Sequence, residues 1–105
     1  MVVKVLMKRR FKEGNEKEGH ALISKMRTRA MDRRGYISGE TLINNDDVRK
    51  TMVIGTWESM EDWLNWKEDP RRKECEARLE KLLAEPGEYE TYSYRYRLER
   101  MMAAK

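Results

Sequence analysis

Trp66 and Asn65, in the second half of the chain, are the residues whose types and neighbours come closest to describing a reactive site. At helical spacing Trp66 lies at the margin of an apolar stripe formed by Met60, Trp63 and Leu64, so its ring could face a pocket. The Asn65 amide could hold a substrate oxygen by hydrogen bonding. The alternative for Trp66 is that it closes the edge of the core, which is the commoner use of a large aromatic residue.

His20 is the only histidine and could act as a general base near neutral pH if an oxidation began with a phenol or quinol. It is predicted to lie early in a helix beside charged residues, so a solvated surface histidine is the alternative. Cys75, the only cysteine, is expected to be an inert core thiol on the inward stripe of a later helix. One histidine and one cysteine cannot build a conventional zinc site, so no metal site is predicted.

Length and composition predict one small soluble domain. The chain has 105 residues, of which 40% are charged and 39% hydrophobic, and its net charge is only +4. Acidic residues are scattered among the basic ones, so nucleic-acid binding is not supported. The apolar run from Val2 to Met7 is interrupted by Lys4 and is too short to cross a membrane. A single cysteine fits a reducing, cytoplasmic setting.

The elements that must position these residues follow from the hydrophobic periodicity. Period-two alternation predicts strands, and apolar residues at helical spacing predict helices. Ser59 with Asp62 forms a capping-box-like start, and Pro70 splits the second helical layer in two. The predicted strands cover residues 2–11, 36–44, 50–57 and 88–96, and the predicted helices cover 16–32, a short piece from 59, and 71–84. We take 1–96 as one domain and 97–105 as a C-terminal extension.

This order predicts an α+β fold, a ferredoxin-like βαββαβ domain with a four-stranded antiparallel sheet. Right-handed crossovers place both helical layers on the same face, so the other face has no cover within one chain. That face would carry Val2, Leu6, Met52 and Ile54 as well as a row of tyrosines. Each large apolar side chain contributes roughly 1.5–3 kcal/mol when buried, so we expect a second copy to cover them in a dimeric α/β barrel. The alternative is ordinary amphipathic strands that tolerate surface valines.

Three short stretches stand out along the chain: Arg34-Gly35-Tyr36, Thr56-Trp57-Glu58-Ser59, and Trp63-Leu64-Asn65-Trp66 followed by Pro70. With them the chain resembles, over nearly its whole length, the antibiotic biosynthesis monooxygenase family, whose members belong to the dimeric α/β-barrel superfamily. The resemblance implies a pocket between the sheet and the helices of each subunit. At this chain's positions that pocket would be lined by the side chains of Met7, Met26, Met52, Trp63 and Trp66, a wall suited to a flat aromatic guest.

The resemblance also implies a range of functions. Family members include cofactor-free monooxygenases of aromatic polyketides or quinols, enzymes that open haem, and proteins without known activity. The haem-degrading members use an asparagine, a tryptophan and an axial histidine. Here only the tryptophan is present, as Trp66, while Met7 and Glu76 occupy the other two positions, so haem degradation by that route is not expected.

We therefore expect an oxygenase that acts on an aromatic or quinone-type molecule without a cofactor. Trp66, Asn65 and His20 are its candidate catalytic residues, although Arg27 and the tyrosines could also hold a substrate oxygen. The rival hypothesis is a non-catalytic binding or stress-related protein with a small aromatic ligand. Haem binding without degradation is a third.

Overall fold

Alternation along the first segment makes it a strand, and it is one of the two inner strands of the sheet. In the computed structural model, which describes residues 1–95, strand β1 spans Val3–Arg10. Its odd-numbered residues face the helices, and Val3 and Val5 are 2% and 0% exposed. The even-numbered residues lie on the opposite face and are half-buried or exposed. Strand β1 therefore contributes residues to the core on one side of the sheet and to the middle of the opposite side.

The predicted order of elements is confirmed. After β1 come helix α1 (Glu16–Ala30), strands β2 (Tyr36–Ile43) and β3 (Lys50–Trp57), helices α2 (Met60–Lys67) and α3 (Pro70–Glu80), and strand β4 (Glu88–Ser93). The strands lie in the order β2-β3-β1-β4, and every neighbouring pair is antiparallel. This is the expected ferredoxin-like α+β arrangement, with the second helical layer in two pieces.

Local side-chain caps explain where the second helical layer begins and breaks. The Ser59 hydroxyl accepts a hydrogen bond from the Asp62 backbone N–H at 3.1 Å, which caps α2 as predicted. Asp69 caps α3 in the same way, by accepting from the Arg71 backbone N–H at 2.9 Å, and Pro70 occupies the first helical position. The proline therefore starts a new helix rather than bending a continuous one.

The buried side of α2 differs from the predicted stripe. Trp63 and Trp66 are 3% and 5% exposed, whereas Met60 and Leu64 are 41% and 45% exposed. Residues three apart share a helix face, so the two indoles point together into the core and the two aliphatic side chains face outward. Trp66 therefore lies at the centre of the buried face and not at its margin.

Several boundaries are shorter than predicted. Helix α1 ends at Ala30 instead of residue 32, and Gly35 then takes a positive φ of 83° that a residue with a Cβ adopts only with strain. Helix α3 ends at Glu80, after which Leu83 forms an isolated bridge with Phe11. Strand β4 ends at Ser93, and the predicted extension over 97–105 lies outside the described residues.

The face opposite the helices is the open face of the sheet. Leu6 pairs with Ile54 across β1 and β3, and Leu42 pairs with Met52 across β2 and β3. Leu42 is 44% exposed, and the other three side chains are half-buried. The apolar residues expected on this face are therefore present in the centre of it. Among residues 1–95, the structure contains no helix long and apolar enough to cross a membrane.

Candidate active site between the sheet and the helices

A cavity of about 50 Å³ lies between the sheet and the helices. Two residues without a side chain line it: Gly39 and Gly55 are direct partners across β2 and β3, on the helix-facing side. A Cβ added to Gly55 would lie 3.3 Å from Trp57 Nε1. The cavity is lined by Met7, Arg9, Ile23, Met26, Arg27, Ala30, Tyr36, Gly39, Thr41, Val53, Gly55, Trp57, Trp63, Trp66 and Arg72.

Four of the residues predicted from the sequence come together in this cavity. Met7, Met26, Trp63 and Trp66 all line it, and all four are buried. Trp63 also contacts Trp57, with ring centroids 6.2 Å apart, so the aromatic wall continues from α2 to the end of β3. The Arg33 guanidinium lies 6.0 Å from the centroid of the Trp66 ring and covers its outer side. The result is a rigid, mostly apolar wall.

Three other predicted residues lie outside the cavity. Met52 follows the strand alternation onto the open face, and its neighbour Val53 takes the inward position. Asn65 is exposed, because on helix α2 it faces away from the side that carries the buried Trp63 and Trp66. His20 is half-buried and its ring packs edge-on against Phe11, with centroids 5.6 Å apart. The catalytic roles assigned to Asn65 and His20 stay predictions.

A polar cluster lies beside the cavity, and two of its members, Arg9 and Arg72, line it. We call it the arginine cluster: Arg9 from β1, Arg72 and Glu76 from α3, and Tyr89 from β4. The Arg9 guanidinium donates to both Glu76 carboxylate oxygens, at 3.0 and 3.1 Å. Arg72 lies 3.0 Å from Glu76 Oε2 and donates to the Tyr89 hydroxyl at 2.9 Å. That hydroxyl in turn donates to Glu76 at 2.7 Å, so one carboxylate binds three side chains.

The charged side chains of the arginine cluster are buried, and they carry more positive than negative charge. The side chains of Arg9, Arg72 and Glu76 are 2%, 5% and 14% exposed. Two guanidinium groups thus share a single carboxylate. Burial is the main cause that raises the pKa of Tyr89, although the residue as a whole is 38% exposed. The phenol stays neutral and donates its proton to Glu76.

Neither Arg9 nor Arg72 was predicted as a site residue, although the sequence contains a signal for both. Arg9 shares the odd-numbered register of Val3, Val5 and Met7, which alternation places on the apolar face. Arg72 shares the inward stripe of α3 with Cys75 and Leu79. A charged residue in a buried register needs a partner of opposite charge, and that requirement would have marked both arginines. Glu76 was considered only as the residue that occupies the position of a histidine.

A search for relatives places the chain in a family. The profile of the family named antibiotic biosynthesis monooxygenase matches residues 1–78. The chain belongs to this family. No curated protein matches its sequence. Among residues 1–95, no group of three or more histidine, cysteine, aspartate or glutamate side chains could hold a metal ion.

Solved structures share the fold of this family member over most of its length. SnoaB from Streptomyces nogalater, named as a cofactor-independent oxygenase, is 14% identical, with a TM-score of 0.82 over 90% of this chain and 93% of that chain. A conserved protein from Methanosarcina mazei Go1 is 15% identical, with a TM-score of 0.86 over 90% and 94%. A proposed antibiotic biosynthesis monooxygenase from Nitrosomonas europaea is 14% identical, with a TM-score of 0.84 over 90% and 91%. At such identities these likenesses establish the fold.

Proposed function

We propose that this family member is a cofactor-independent oxygenase that acts on an aromatic or quinone-type small molecule. The observation that carries the proposal is the cavity, in which an apolar wall of tryptophan and methionine side chains meets the buried guanidinium groups of Arg9 and Arg72. An apolar site with a few polar groups orients a flat guest. Family membership and the fold shared with SnoaB support the same reaction class.

In the proposed reaction the substrate itself supplies the electrons. A phenol or enol that has lost its proton is electron-rich enough to react with molecular oxygen. When a ring CH₂ group becomes a carbonyl, one oxygen atom enters the product and the other leaves as water with the two hydrogens. The four electrons that O₂ accepts all come from that carbon. The protein would contribute orientation, exclusion of water and stabilisation of the anion.

The cavity must widen to take such a guest. Its volume is about 50 Å³, whereas an enclosed cavity of ~150 Å³ binds benzene. Met7 and Met26 are unbranched and flexible, and Arg27 is exposed at the cavity wall, so we expect these side chains to move. Trp63 and Trp66 are packed into the core, so we expect their indole rings to keep their positions.

The same small volume favours a second candidate function, a non-catalytic binding protein on this scaffold. In that case the tryptophan side chains fill the space that an enzyme would leave for its substrate, and only a small ligand enters. The two candidates differ in turnover. Binding of a ligand without consumption of oxygen would favour the second.

Oxygen uptake tests the proposed reaction. Purified protein should consume oxygen above the buffer rate with at least one member of a panel of quinols and polyphenols. Trp66→Phe should lower that rate by about tenfold, equivalent to ~1.4 kcal/mol of transition-state stabilisation, because the smaller ring no longer fills the wall beside the substrate. Leu64→Ala, on the exposed side of the same helix, is the matched control. A flat response across the panel would count against catalysis.

We also propose that two copies pair through the open face. Leu6 and Ile54 lie side by side at its centre, and burying both in a second sheet would stabilise a small domain. Ile54→Lys places a charge there and should convert a dimer into a monomer in sedimentation at micromolar concentration. Sedimentation of the unaltered protein as a single chain would contradict the pairing.

A further inference from the structure

The cavity between the sheet and the helices reaches solvent along one edge of the sheet. Most of the residues that line it are buried, but Arg27 of α1 and Thr41 of β2 are exposed, and Tyr36, Gly39 and Val53 are half-buried. Strand β2 is the outermost strand on this side of the sheet. In the part of the chain that the structure describes, the cavity therefore opens between α1 and β2.

A β-bulge directs Tyr36 across this opening. The pairing of β2 with β3 shifts between Tyr36 and Ser38, and Ile37 is left out of the pairing. Residues three apart on a regular strand point to opposite faces of the sheet. Because of the shift, Tyr36 and Gly39 both line the cavity on the helix-facing side. Bulges change the direction of a side chain in this way and are common beside active sites.

The side chains of Tyr36 and Arg27 meet over the gap that Gly39 leaves. A Cβ built on Gly39 would lie 2.8 Å from the Tyr36 hydroxyl and 3.7 Å from Arg27 Nε. The Tyr36 ring also packs edge-on against Trp57, with centroids 5.4 Å apart, and this contact favours the position that covers the opening. Among residues 1–95, no hydrogen bond or ion pair holds the hydroxyl or the guanidinium. Both side chains can therefore turn away without losing a polar partner.

We propose that Tyr36 and Arg27 form the gate of this cavity and that a guest enters between α1 and β2 when the Tyr36 ring swings outward. The inference takes the cavity as the binding site of the proposed function, but it does not depend on any oxidation. With the gate closed, the cavity has a volume of about 50 Å³. The same ring must move for entry and for exit and closes again behind the guest, so it determines how fast a guest exchanges.

The exchange rate of a neutral aromatic probe tests the gate. All three tryptophans of the chain line the cavity, so quenching of their fluorescence reports its occupancy. Para-nitroanisole absorbs where tryptophan emits, and it has no phenolic proton to lose, so the result is independent of catalysis. Stopped-flow mixing gives its association and dissociation rate constants. We expect Tyr36→Ala to raise both rate constants at least about fivefold, while the dissociation constant changes by less than about threefold.

Three further variants test which groups close the gate. Tyr36→Phe keeps the ring, so its rate constants should stay within about twofold of those of the unaltered protein, and acceleration equal to that of Tyr36→Ala would overturn the role of the ring. Arg27→Ala should raise both rate constants at least about threefold. Ile37→Ala shortens a side chain that is 47% exposed beside Tyr36 and is the control, with rate constants that should not change.

Circular dichroism checks that each variant is folded. Tyr36 packs against the core, whereas Arg27 is exposed and its replacement leaves the core intact. If Tyr36→Ala does not fold, the rate constants of Arg27→Ala therefore still decide whether the cavity exchanges its guest through this opening.

The outcomes separate this inference from the proposed function. Unchanged rate constants in Tyr36→Ala and Arg27→Ala, or no quenching by the probe in any variant, would overturn the gate even if quinols are oxidised. A change in the dissociation rate constant alone would make Tyr36 a wall of the binding site and would also overturn it. Parallel acceleration of entry and exit without oxygen uptake in the quinol assay would support the gate and contradict the proposed oxygenase.

Discussion

Replacing Glu76 by glutamine should destabilise the protein more than any other single change in the arginine cluster. The substitution keeps the size of the side chain and removes the only negative charge that Arg9 and Arg72 contact within residues 1–95. The glutamine amide has one acceptor oxygen where the carboxylate has two. Its NH₂ group is a donor and would face the guanidinium donors of Arg9 and Arg72. Two buried guanidinium groups would then lack a counter-charge.

The size of the effect follows from the burial of these side chains. Arg9 and Arg72 are 2% and 5% exposed, so water cannot replace the lost carboxylate. Removing one partner of a buried ion pair costs about 3–5 kcal/mol, which is a large part of the 5–15 kcal/mol that stabilises a typical domain. Arg72→Met should cost less than half as much, because it leaves Arg9 and Glu76 as a balanced pair.

Urea unfolding, followed by tryptophan fluorescence at one fixed protein concentration, measures these differences. The fixed concentration matters because association would add to the apparent stability. Glu74→Gln removes the same charge from an exposed position on α3 and should change the free energy of unfolding by less than about 0.5 kcal/mol. An unchanged m-value would show that the unfolded state is comparable between variants.

Two results would refute this reasoning. A loss below about 1 kcal/mol for Glu76→Gln would mean that the guanidinium groups are hydrated and that the cluster is not a buried charge network. A larger loss for Arg72→Met than for Glu76→Gln would mean that the positive charges are not in excess.

Two further predictions concern packing and alkaline stability. Gly19→Ala would place a Cβ 2.2 Å from Cε1 of the fully buried Phe11 ring. This overlap should lower the free energy of unfolding, measured in urea, by about 1–3 kcal/mol, although alanine has the better helix propensity. An increase in the free energy of unfolding would contradict the packing. The pKa of Tyr89 is raised above its ordinary value of 10.0, so the folded state holds the phenol proton more tightly than the unfolded state. The stability that this proton contributes is fully present below pH 10 and is lost as the pH rises through the pKa of the folded state. Tyr89→Phe should therefore lose less stability than the unaltered protein above pH 10, and parallel pH profiles would argue against this role.

The sequence was sufficient for the order and type of the elements, because those depend on local patterns. Alternation placed Met7 on the inner face, and helical spacing placed Met26 with the core residues of α1. Met52 was assigned to the wall of the cavity through the family resemblance, although alternation had already placed it with Ile54 on the uncovered face, and the structure agrees with the alternation.

The arginine cluster and the cavity depend on long-range contacts that periodicity does not report. Arg9 and Glu76 are 67 positions apart in the sequence, and the hydroxyl of Tyr89 reaches them from a third element. Similarly, Gly39 faces Gly55 only because the pairing of β2 and β3 shifts between Tyr36 and Ser38. The sequence shows the residue types, but it does not show that these residues contact one another in the fold.

The facing glycines Gly39 and Gly55 have a consequence for engineering. They provide the space through the backbone rather than through a choice of rotamers, so a single methyl or hydroxymethyl group at either position would restrict the size of the guest. Guest size could thus be tuned at these two positions without replacing any side chain of the arginine cluster.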